Sequence, residues 1–599
     1  MKYQDIIKSV NLKQGINQID LGYIYPISPI KDSNLEISYL IDDEKQSMMF
    51  DCIYANHLVV VAHKETSLDI QLGKGYYVEK NDTFTQKFVS HNKWSGGDGI
   101  YSFNLTNGND QFDQKDDIHT LFVFGDTFVG RSDEKTHQRF QPHLMPNNSI
   151  AYKIKDDIEF KLNWQENGEI QAFYQMDEVF DENGSIAQNL VTYDQKTNVD
   201  SFVSGYHPNQ LELIFDLHKP QCITHMHIFN YFSKESNELA KRGLKNIVIS
   251  GSLNQIEYQE IKKHTLKMSY SFDDFNHIDI NQTYRYIKIS VQPKDKDANY
   301  NDKTFEEGLF GLNKVKFFNE DRQYRDIKVT SNHVLLRDHD HSWIWLQDGV
   351  VINDSLYFIP MVVNSDLTQP EGLQFKIKGV SMFKTPIENN QIVPEKRIQK
   401  MAPILVYDKD SEYLYGGAIM PNSLQANPKS GNGYIYIYGY KTTMGLREMI
   451  VARVKEADFE FVDEWTYFDG EKFQYDILKS APLLKHISCE FSVSLVNEGL
   501  YQGKYLAVFT YDVNTPYVSY AIGDTPYSPF SKPQKVYKTP EQEIFKSTTY
   551  TYNAKAHPHL SSSKKVLVSY NTNTYNFDHN MSNSNIYRPR FIFLNDTTK

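Results

Sequence analysis

Residues 121–130 read Leu121-Phe-Val-Phe-Gly-Asp126-Thr-Phe-Val-Gly130, and residues 94–102 read Trp94-Ser-Gly-Gly-Asp98-Gly-Ile-Tyr-Ser102. In each segment one Asp stands beside glycine at an end of an apolar, aromatic run that alternates like a strand. Each carboxylate is therefore expected at a strand terminus, where glycine lets other backbone pass close by. The simpler interpretation is a turn in which the Asp caps its own backbone. Two such carboxylates in one pocket would instead supply the acid and the base or nucleophile that cleave a glycosidic bond.

The composition favours a large protein built from strands. A chain of 599 residues is too long for a single core. Its 41 Tyr and 36 Phe bring the aromatic fraction to 14%, and long Ala/Leu/Glu/Lys heptads are missing. We therefore predict an all-β protein of several domains.

Charge and cysteine content narrow the choice of partners. The formal net charge is −13 and no basic block interrupts it, which argues against nucleic-acid binding and favours a neutral substrate. The three cysteines, Cys52, Cys222 and Cys489, are widely separated, so they form neither a disulfide framework nor a zinc set. The sequence predicts no cofactor and no metal.

The chain start, Met1-Lys-Tyr-Gln-Asp-Ile-Ile-Lys8, lacks the apolar core and cleavage site of a signal peptide. No later stretch is long and apolar enough to span a bilayer, so membrane insertion is not expected. We expect a cytoplasmic protein from the chain as given, and a secreted one if an export signal has been removed from it.

Strand patterns divide the chain into four regions. Residues 1–88 form an N-terminal β region, either a small cap or the closing strands of the neighbouring domain, and residues 89–188 continue with the strands around the two Asp segments. Residues 189–320 hold longer alternating runs. Residues 321–599 return to the earlier pattern, in strand groups that recur about every 50 to 80 residues. Such recurrence is typical of a β-propeller, and a two-sheet sandwich is the alternative.

The order of runs in residues 189–320 resembles a discoidin (coagulation factor 5/8 type C) jelly roll. The resemblance is carried by Phe215-Asp-Leu217, Ile228-Phe-Asn230, Arg285-Tyr-Ile-Lys-Ile289 and Gly311-Leu-Asn-Lys-Val-Lys-Phe317. Many members of that family bind sugars through loops at one end of the sandwich, and others only bridge domains. The resemblance implies a β-sandwich inserted into a loop of the surrounding domain.

Polar side chains recur in the strand groups. Asp348 precedes glycine in Ser342-Trp-Ile-Trp345-Leu-Gln-Asp348-Gly, and Glu490 lies in the alternating run His486-Ile-Ser-Cys-Glu490-Phe-Ser-Val-Ser494. A carboxylate inside such a strand is costly unless it faces water or a ligand. Trp345 is a candidate sugar platform, with core packing as the alternative.

The last strand group is dense in side chains that hydrogen-bond hydroxyls. It reads Tyr552-Asn-Ala-Lys555-Ala-His557-Pro and then Leu567-Val-Ser-Tyr570-Asn571-Thr-Asn573. We predict that it lines the pocket, although His557 before proline has the alternative of bracing a turn.

Several motifs in order resemble a family of five-bladed β-propellers long known as uncharacterised domains, some of whose relatives act as endo-D-arabinanases. They are Phe124-Gly-Asp-Thr127 with Asn147-Asn148-Ser149 after it, Trp465-Thr-Tyr-Phe-Asp469-Gly, and Asn553-Ala-Lys-Ala-His-Pro558 with Ser569-Tyr-Asn-Thr-Asn573. The resemblance implies a five-bladed propeller spanning 89–188 and 321–599, and retaining glycoside hydrolysis. Its two early catalytic Asp residues match Asp98 and Asp126.

These observations together predict a glycoside hydrolase that cleaves an oligo- or polysaccharide, with arabinofuranose-type glycan as a candidate. Asp98 is predicted as nucleophile or water-activating base, Asp126 as the opposing acid/base, and Glu490 as a proton donor or a modulator of its neighbour. The predicted substrate-binding residues are Asn147, Asn148, Trp345, Asp348, Lys555, His557, Tyr570 and Asn571. The alternative is a non-catalytic carbohydrate-binding or adhesion protein.

Overall fold

A computed structural model provides the fold. It describes residues 8–27, 35–41, 44–45, 53–70, 74–114, 118–165, 168–175, 187–191, 202–203, 211–232, 237–291, 297–301, 310–320, 322–331, 343–366, 374–424, 426–427, 430–546 and 548–598. Over these residues the protein is all-β, which confirms the fold class predicted from its composition.

Helices within the described residues are short. Four are α-helical: α1 Asp82–Gln86, α2 Asn237–Ala240, α3 Glu541–Phe545 and α4 Phe577–Ser582. The 3-10 helices are Ala187–Val191, Pro394–Lys396, Glu456–Asp458, Val462–Glu464, Ile477–Lys479 and Pro558–Leu560. No helix in the described ranges is long and apolar enough to cross a membrane.

The N-terminal strands form two small sheets. One pairs β1 with β6, and the other has the order β2-β5-β3-β4. The strands are β1 Lys8–Leu12, β2 Gly15–Ile27, β3 Leu35–Ile41, β4 Glu44–Lys45, β5 Ile53–Ala62 and β6 Thr66–Ile70.

The next strands build the sheet that carries the two Asp segments. Sheet I has the order β13-β12-β10-β9, while β8 and β11 form a separate two-stranded ribbon, and β14 pairs with β15. The strands are β7 Tyr76–Lys80, β8 Trp94–Gly97, β9 Tyr101–Asn104, β10 Thr120–Phe124, β11 Thr127–Val129, β12 Ser149–Ile154, β13 Asp157–Lys161, β14 Asn163–Trp164 and β15 Ile170–Gln171.

Residues 202–331 contribute an eight-stranded sheet with a core of its own. Its order is β16-β21-β17-β20-β18-β19, with β22 paired to β21 and β23 paired to β17. The buried side chains of this core that the structure describes lie between Ala187 and Val329, so none of them comes from the other sheets. The strands are β16 Phe202–Val203, β17 Glu212–Asn230, β18 Asn246–Ser252, β19 Gln259–Thr265, β20 Asn276–Val291, β21 Gly311–Asn319, β22 Arg322–Tyr324 and β23 Lys328–Ser331.

Two larger antiparallel sheets come next. Sheet II has the order β24-β27-β28-β26-β25, with β29 and β30 also paired to β28, and sheet III has the order β31-β32-β33-β34-β35-β36, with β37 paired to β34. The strands are β24 Trp343–Trp345, β25 Gly349–Ile352, β26 Ser355–Phe358, β27 Met361–Ser365, β28 Phe375–Glu388, β29 Gln391–Ile392, β30 Ile398–Ala402, β31 Leu405–Tyr407, β32 Ser411–Asn422, β33 Tyr434–Thr443, β34 Leu446–Lys455, β35 Thr466–Phe468, β36 Phe473–Gln474 and β37 Leu484–Lys485.

The last two sheets have four strands each. Sheet IV has the order β38-β39-β40-β41, and sheet V has the order β42-β43-β44-β7. The strands are β38 Phe491–Leu495, β39 Tyr505–Thr510, β40 Tyr517–Gly523, β41 Gln534–Lys538, β42 Thr549–Ala556, β43 Lys565–Thr574 and β44 Pro589–Asp596. Sheet V therefore joins an early strand to the last strand in the order, since Tyr76 at the start of β7 pairs with Asp596.

Contacts between single strands, four of them edge strands and one the second strand of sheet III, connect sheets I to V in a series. β25 contacts β9 and β32, β32 contacts β38, and β38 contacts β42. The Ser102 hydroxyl on β9 lies 2.7 Å from Nδ1 of His557, just after β42, and this bond links sheet V back to sheet I. Residues far apart in sequence are thereby gathered at the Asp98 segment.

Candidate active site

The Asp98 and Asp126 segments are joined through their backbones. Asp98 follows β8 and Asp126 precedes β11, and Gly97 and Thr127 on either side of them pair in the ribbon. The Asp98 N–H donates to the Asp126 carbonyl over 2.9 Å, and the Gly125 N–H donates to the Asp98 carbonyl over 2.6 Å. The two carboxylates thus start from neighbouring, fixed main-chain positions.

Two donors bind the same oxygen of Asp98. The Gly99 N–H donates to Oδ1 over 2.6 Å, and the Tyr552 hydroxyl donates to the same atom. Gly99 has φ +54°, a left-handed conformation that glycine adopts without strain. A Cβ built at Gly99 would lie 3.9 Å from Oε2 of Glu490, which brings this third carboxylate to the same place.

Asp126 is held by a different set of groups. The Asn147 side-chain amide donates to its Oδ1 over 3.2 Å. The Thr127 hydroxyl donates to the Gly125 carbonyl over 2.9 Å and lies 2.8 Å from the Ser149 hydroxyl. Trp94 Nε1 also donates to Ser149, so a buried hydroxyl network fixes the loop that carries Asp126.

Both carboxyls titrate near neutrality because they are removed from water. Burial, together with the charges of Glu490 and Asp126, raises the pKa of Asp98 to about 7 against the opposing hydrogen bonds from Tyr552 and Gly99. Burial also raises the pKa of Asp126 to about 6, while hydrogen bonds from Asn147 and Trp345 oppose the rise. A neutral solution therefore holds a mixture of their protonated and ionised forms.

Glu490 forms an ion pair with Lys555. Lys555 Nζ contacts Oε2 of Glu490, with 3% of the lysine side chain and 13% of the glutamate side chain exposed. The ammonium also lies 3.7 Å from the centre of the Tyr101 ring. Lys555, predicted as a substrate-binding residue, therefore fixes the position of the Glu490 carboxylate through this ion pair.

Asp348 is bonded to backbone on both of its oxygens. The Gly349 N–H donates to Oδ1 over 2.8 Å, and the Ile419 N–H donates to Oδ2 over 2.7 Å. Burial raises its pKa to about 7 against these two bonds. Oδ1 thus holds the start of β25 and Oδ2 connects sheet II to β32 of sheet III. Because both oxygens already have backbone donors, we propose a scaffold role for Asp348.

His557 and Asn148 are also committed to protein partners. The His557 ring is 1% exposed, and Nδ1 and Nε2 lie 2.7 Å and 2.8 Å from the hydroxyls of Ser102 and Ser569. Asn148 is 1% exposed and exchanges two hydrogen bonds with the backbone of Tyr174. The polar side-chain atoms of both residues therefore already have partners within the protein.

Tyr570 and Asn571 lie on opposite faces of β43. The Tyr570 hydroxyl donates to the Glu541 carboxylate in a core cluster, away from the Asp98 loop. The fully buried Asn571 side chain donates to the Gly97 carbonyl over 3.1 Å. Tyr570 thus packs in a core cluster, whereas Asn571 positions the residue before Asp98 through its amide N–H.

Two tyrosines at the site were not among the predicted site residues. The Tyr552 hydroxyl donates a hydrogen bond to Asp98. Tyr587 lies near both Asp98 and Asp126, and burial, followed by the charges of these two residues, raises the pKa of Tyr587. A Cβ added at Gly96 would lie 2.5 Å from the Tyr587 carbonyl oxygen, which explains the glycine there. Tyr552 lies in the polar run of the last strand group, so the sequence could have suggested it as a site residue. The residues around Tyr587 show no pattern that would predict its position at the site.

A family model described as a domain of unknown function, DUF5005, matches residues 290–596, just over half of the chain. The chain belongs to this family. Within the DUF5005 match lie Trp345, Glu490, Tyr552 and Tyr587, whereas Asp98 and Asp126 come before it. The site of this DUF5005 protein therefore combines the matched residues with an earlier segment of the chain.

Several solved structures are similar to parts or most of this DUF5005 protein. A candidate hydrolase from Bacteroides ovatus ATCC 8483 is 16% identical with a TM-score of 0.45, over 87% of this chain and 90% of that one. A protein of unknown function from Dyadobacter fermentans DSM 18053 is 9% identical with a TM-score of 0.27, over 87% and 98% of the two chains. CBM32-1 from a family 31 glycoside hydrolase of Clostridium perfringens is 13% identical with a TM-score of 0.17, over 24% and 93%. No curated protein matches the chain in sequence.

Proposed function

We propose that this protein is a glycoside hydrolase whose reaction is carried out by Asp98 and Asp126. The observation that carries the proposal is the backbone pairing of the two Asp residues, together with burial that raises both pKa values toward neutrality. Glycosidic bond cleavage needs one carboxyl that carries a proton and one that is ionised. The proposal rests on residues of this chain alone.

Asp98 serves as nucleophile or water-activating base, and Asp126 as the acid. The Gly99 N–H and Tyr552 hydroxyl both donate to one oxygen of Asp98, and hydrogen bonds of this kind favour the ionised form. In the free protein the pKa of Asp98, about 7, exceeds the pKa of Asp126, about 6, so a single proton lies mainly on Asp98 between these pH values. The proposed roles therefore use the minor form of the pair, in which the proton is on Asp126 and the Gly99 and Tyr552 donors stabilise ionised Asp98.

Glu490 acts as a modulator. Its ion pair with Lys555 occupies one of its oxygens, and its charge raises the pKa of Asp98. An ionised neighbour of this kind keeps a proton in the carboxyl pair at neutral pH. Asn147 and Trp345, which contact Asp126, are the remaining side chains proposed to touch substrate.

The architecture proposed for this function is a five-bladed propeller. Sheets I to V would be its blades, with β7 and β44 closing the ring, and the contacts of β9, β25, β32, β38 and β42 support this arrangement. We propose residues 1–88 as an N-terminal β region, 89–188 as the first propeller part, 189–320 as the inserted sandwich and 321–599 as the remaining blades, with the end of the sandwich moved to residue 331 because β22 and β23 pair within its sheet. Since β7 is the outer strand of sheet V, the N-terminal region contributes a strand to the propeller.

The proposed substrate class is an uncharged oligo- or polysaccharide of furanose or pyranose units. The net charge of −13 and the three carboxylates at the site disfavour a polyanion. Arabinofuranose-type glycan is the first candidate, because the sequence motifs resemble endo-D-arabinanase relatives.

The test uses aryl furanosides and pyranosides with good and poor leaving groups, alongside arabinan and other neutral polysaccharides. Asp98→Asn should lose turnover on every cleaved substrate by about 10²- to 10⁴-fold. Asp126→Asn should lose it on poor leaving groups and retain much of it on good ones, which need no acid. Asp156→Asn, an exposed change in the turn between β12 and β13, is the matched control. Wild-type turnover by both site variants overturns the proposal, and a reversed leaving-group pattern overturns the roles.

A second candidate function is glycan binding without cleavage. A groove of about 530 Å³ in the eight-stranded sheet domain is lined by Tyr270, Asp274, Phe275, Asn276 and Tyr300, and Tyr270 is 72% exposed. Phe275 is also 49% exposed, and exposed aromatic rings in a groove suit the apolar face of a sugar. Glycan binding that is abolished by Tyr270→Ala and Phe275→Ala, with no cleavage of any glycan, would favour this function.

A further inference from the structure

Three histidines converge on one face of the eight-stranded sheet, far along the chain from the carboxylates. His225 and His227 lie two residues apart on β17, so their side chains share a face, and His277 lies directly opposite His227 on the paired strand β20. One ring nitrogen from each of the three lies within 4.8 Å of the others. The intervening Met226 is fully buried, so the cluster is on the outer face of the sheet.

The ring nitrogens that face each other are suited to bind one ion. Nε2 of His227 lies 3.1 Å from Nδ1 of His277. A tetrahedral ion about 2.0 to 2.1 Å from each nitrogen needs them roughly 3.4 Å apart. That pair already meets the requirement, and His225 reaches it by a modest turn of a half-buried ring about a torsion with a broad energy well.

The far sides of two rings are held by groups that orient metal-binding histidines. Nε2 of His277 lies 3.1 Å from Oδ1 of Asp279, and Nδ1 of His225 lies 3.1 Å from the Thr224 hydroxyl. That hydroxyl donates its own proton to the Phe318 carbonyl, so it accepts from His225. A proton fixed on the far nitrogen leaves the lone pair on the near one, and a carboxylate behind a histidine is the usual second partner in such sites.

We propose that His225, His227 and His277 form a binding site for a divalent transition-metal ion of the Zn²⁺ class, which joins β17 to β20. Three imidazole ligands favour Zn²⁺, Cu²⁺, Ni²⁺ or Co²⁺ over Mg²⁺ and Ca²⁺, which prefer oxygen. Three protein ligands leave a fourth position for water or an external group. Lys316, the neighbour of His227 on β21, adds a positive charge that lowers the affinity without blocking the ligands.

The experiment uses the full chain without an affinity tag, stripped with chelator and titrated with Co²⁺ or Zn²⁺. Co²⁺ should give the visible absorption of a low-coordinate nitrogen site, and Zn²⁺ should bind once at this site and raise the Tm. His225→Ala, His227→Ala and His277→Ala should each weaken binding by at least about tenfold, and Asp279→Asn by less. The control is His264→Ala, a half-buried histidine on neighbouring β19.

All variants should have the wild-type Tm in chelator, which separates loss of the ligand from loss of the fold. The proposal is overturned if the three cluster variants bind the ion as tightly as the wild-type protein does. It is also overturned if His264→Ala weakens binding as much as the cluster variants do, because the ion would then bind elsewhere. A protein that binds Ca²⁺ or Mg²⁺ but shows no binding of Zn²⁺ or Co²⁺ also overturns the proposal.

Discussion

The backbone N–H of Asp98 donates a 2.9 Å hydrogen bond to the carbonyl oxygen of Asp126. This bond ties together two loops that leave different strands, so the Cα positions of the two Asp residues cannot separate without breaking main-chain contacts. Because each charge raises the cost of ionising its neighbour, the pair has apparent pKa values that belong to both residues. Any substitution near one Asp is therefore expected to change the titration of the other.

Asp98→Asn should stabilise the protein at pH 8 and have little such effect near pH 4. The folded pKa of about 7 lies above the ordinary value of 3.8, so the folded protein holds a proton that the unfolded chain releases between about pH 4 and 7. Stability from this group is thus lost as pH rises through that window. Tm measured at both pH values checks this, with Asp156→Asn as control. A Tm lowered equally at both would contradict it.

Gly99→Ala should reduce kcat/KM far more than it reduces stability. The φ of +54° costs a side chain about 1–2 kcal/mol, and relief of that strain turns the backbone that carries Asp98. A displacement near 1 Å costs about 10²-fold in rate. Gly433→Ala is the matched control, because Gly433 has φ +78° with open space around it and lies in the bend just before β33 of sheet III. Equal kcat/KM losses in the two variants would refute the role of the Asp98 loop.

Tyr552→Phe should lower the maximum of the pH profile of kcat/KM and move its alkaline limb to higher pH. The hydroxyl bond lowers the pKa of Asp98, so its removal raises that pKa and keeps the shared proton on Asp98. A smaller fraction of the singly protonated pair then has Asp98 ionised and the proton on Asp126. Tyr550→Phe, beside it on β42, keeps the bond and should leave the profile unchanged. An unmoved limb in Tyr552→Phe argues against Asp98 as the titrating group.

The strand class could be predicted from the sequence, and the reason is local. Alternation and aromatic content follow from each strand's own residues, so they survive in any arrangement of the sheets. The pairing of β7 with β44 depends on residues about 500 positions apart, and nothing in either strand specifies the partner. This is why the sequence assigns residues 1–88 to a separate region, with closing strands only as one alternative.

The site shows the same division between residue type and partner. Asp98 and Asp126 stand beside glycine at strand ends, a pattern that the sequence displays. His557 and Asn148 have equally suitable side chains, yet hydroxyls and backbone from other strands consume their polar atoms. Residue type shows what a side chain can bond, whereas only the fold decides which partner reaches it first.

The Glu490–Lys555 pair should behave as one unit in a double-mutant cycle. Glu490→Gln leaves a lysine that is 3% exposed without its counter-charge, and breaking a buried pair in this way costs about 3–5 kcal/mol. Lys555→Met should cost less, because the glutamate is 13% exposed and reaches solvent. The double variant should recover part of the loss, since neither charge is then left alone.

Glu490→Gln should also move the alkaline limb of the pH profile of kcat/KM to lower pH, because the Glu490 charge raises the pKa of Asp98. Lys504→Met, which breaks an exposed ion pair with Asp524, is the matched control and should change neither stability nor the profile appreciably. Free energies of unfolding from denaturant titrations give the coupling, and initial rates across pH give the limb. Additive stability losses would show that the two side chains do not interact. An alkaline limb that stays in place would show that Glu490 does not act on Asp98.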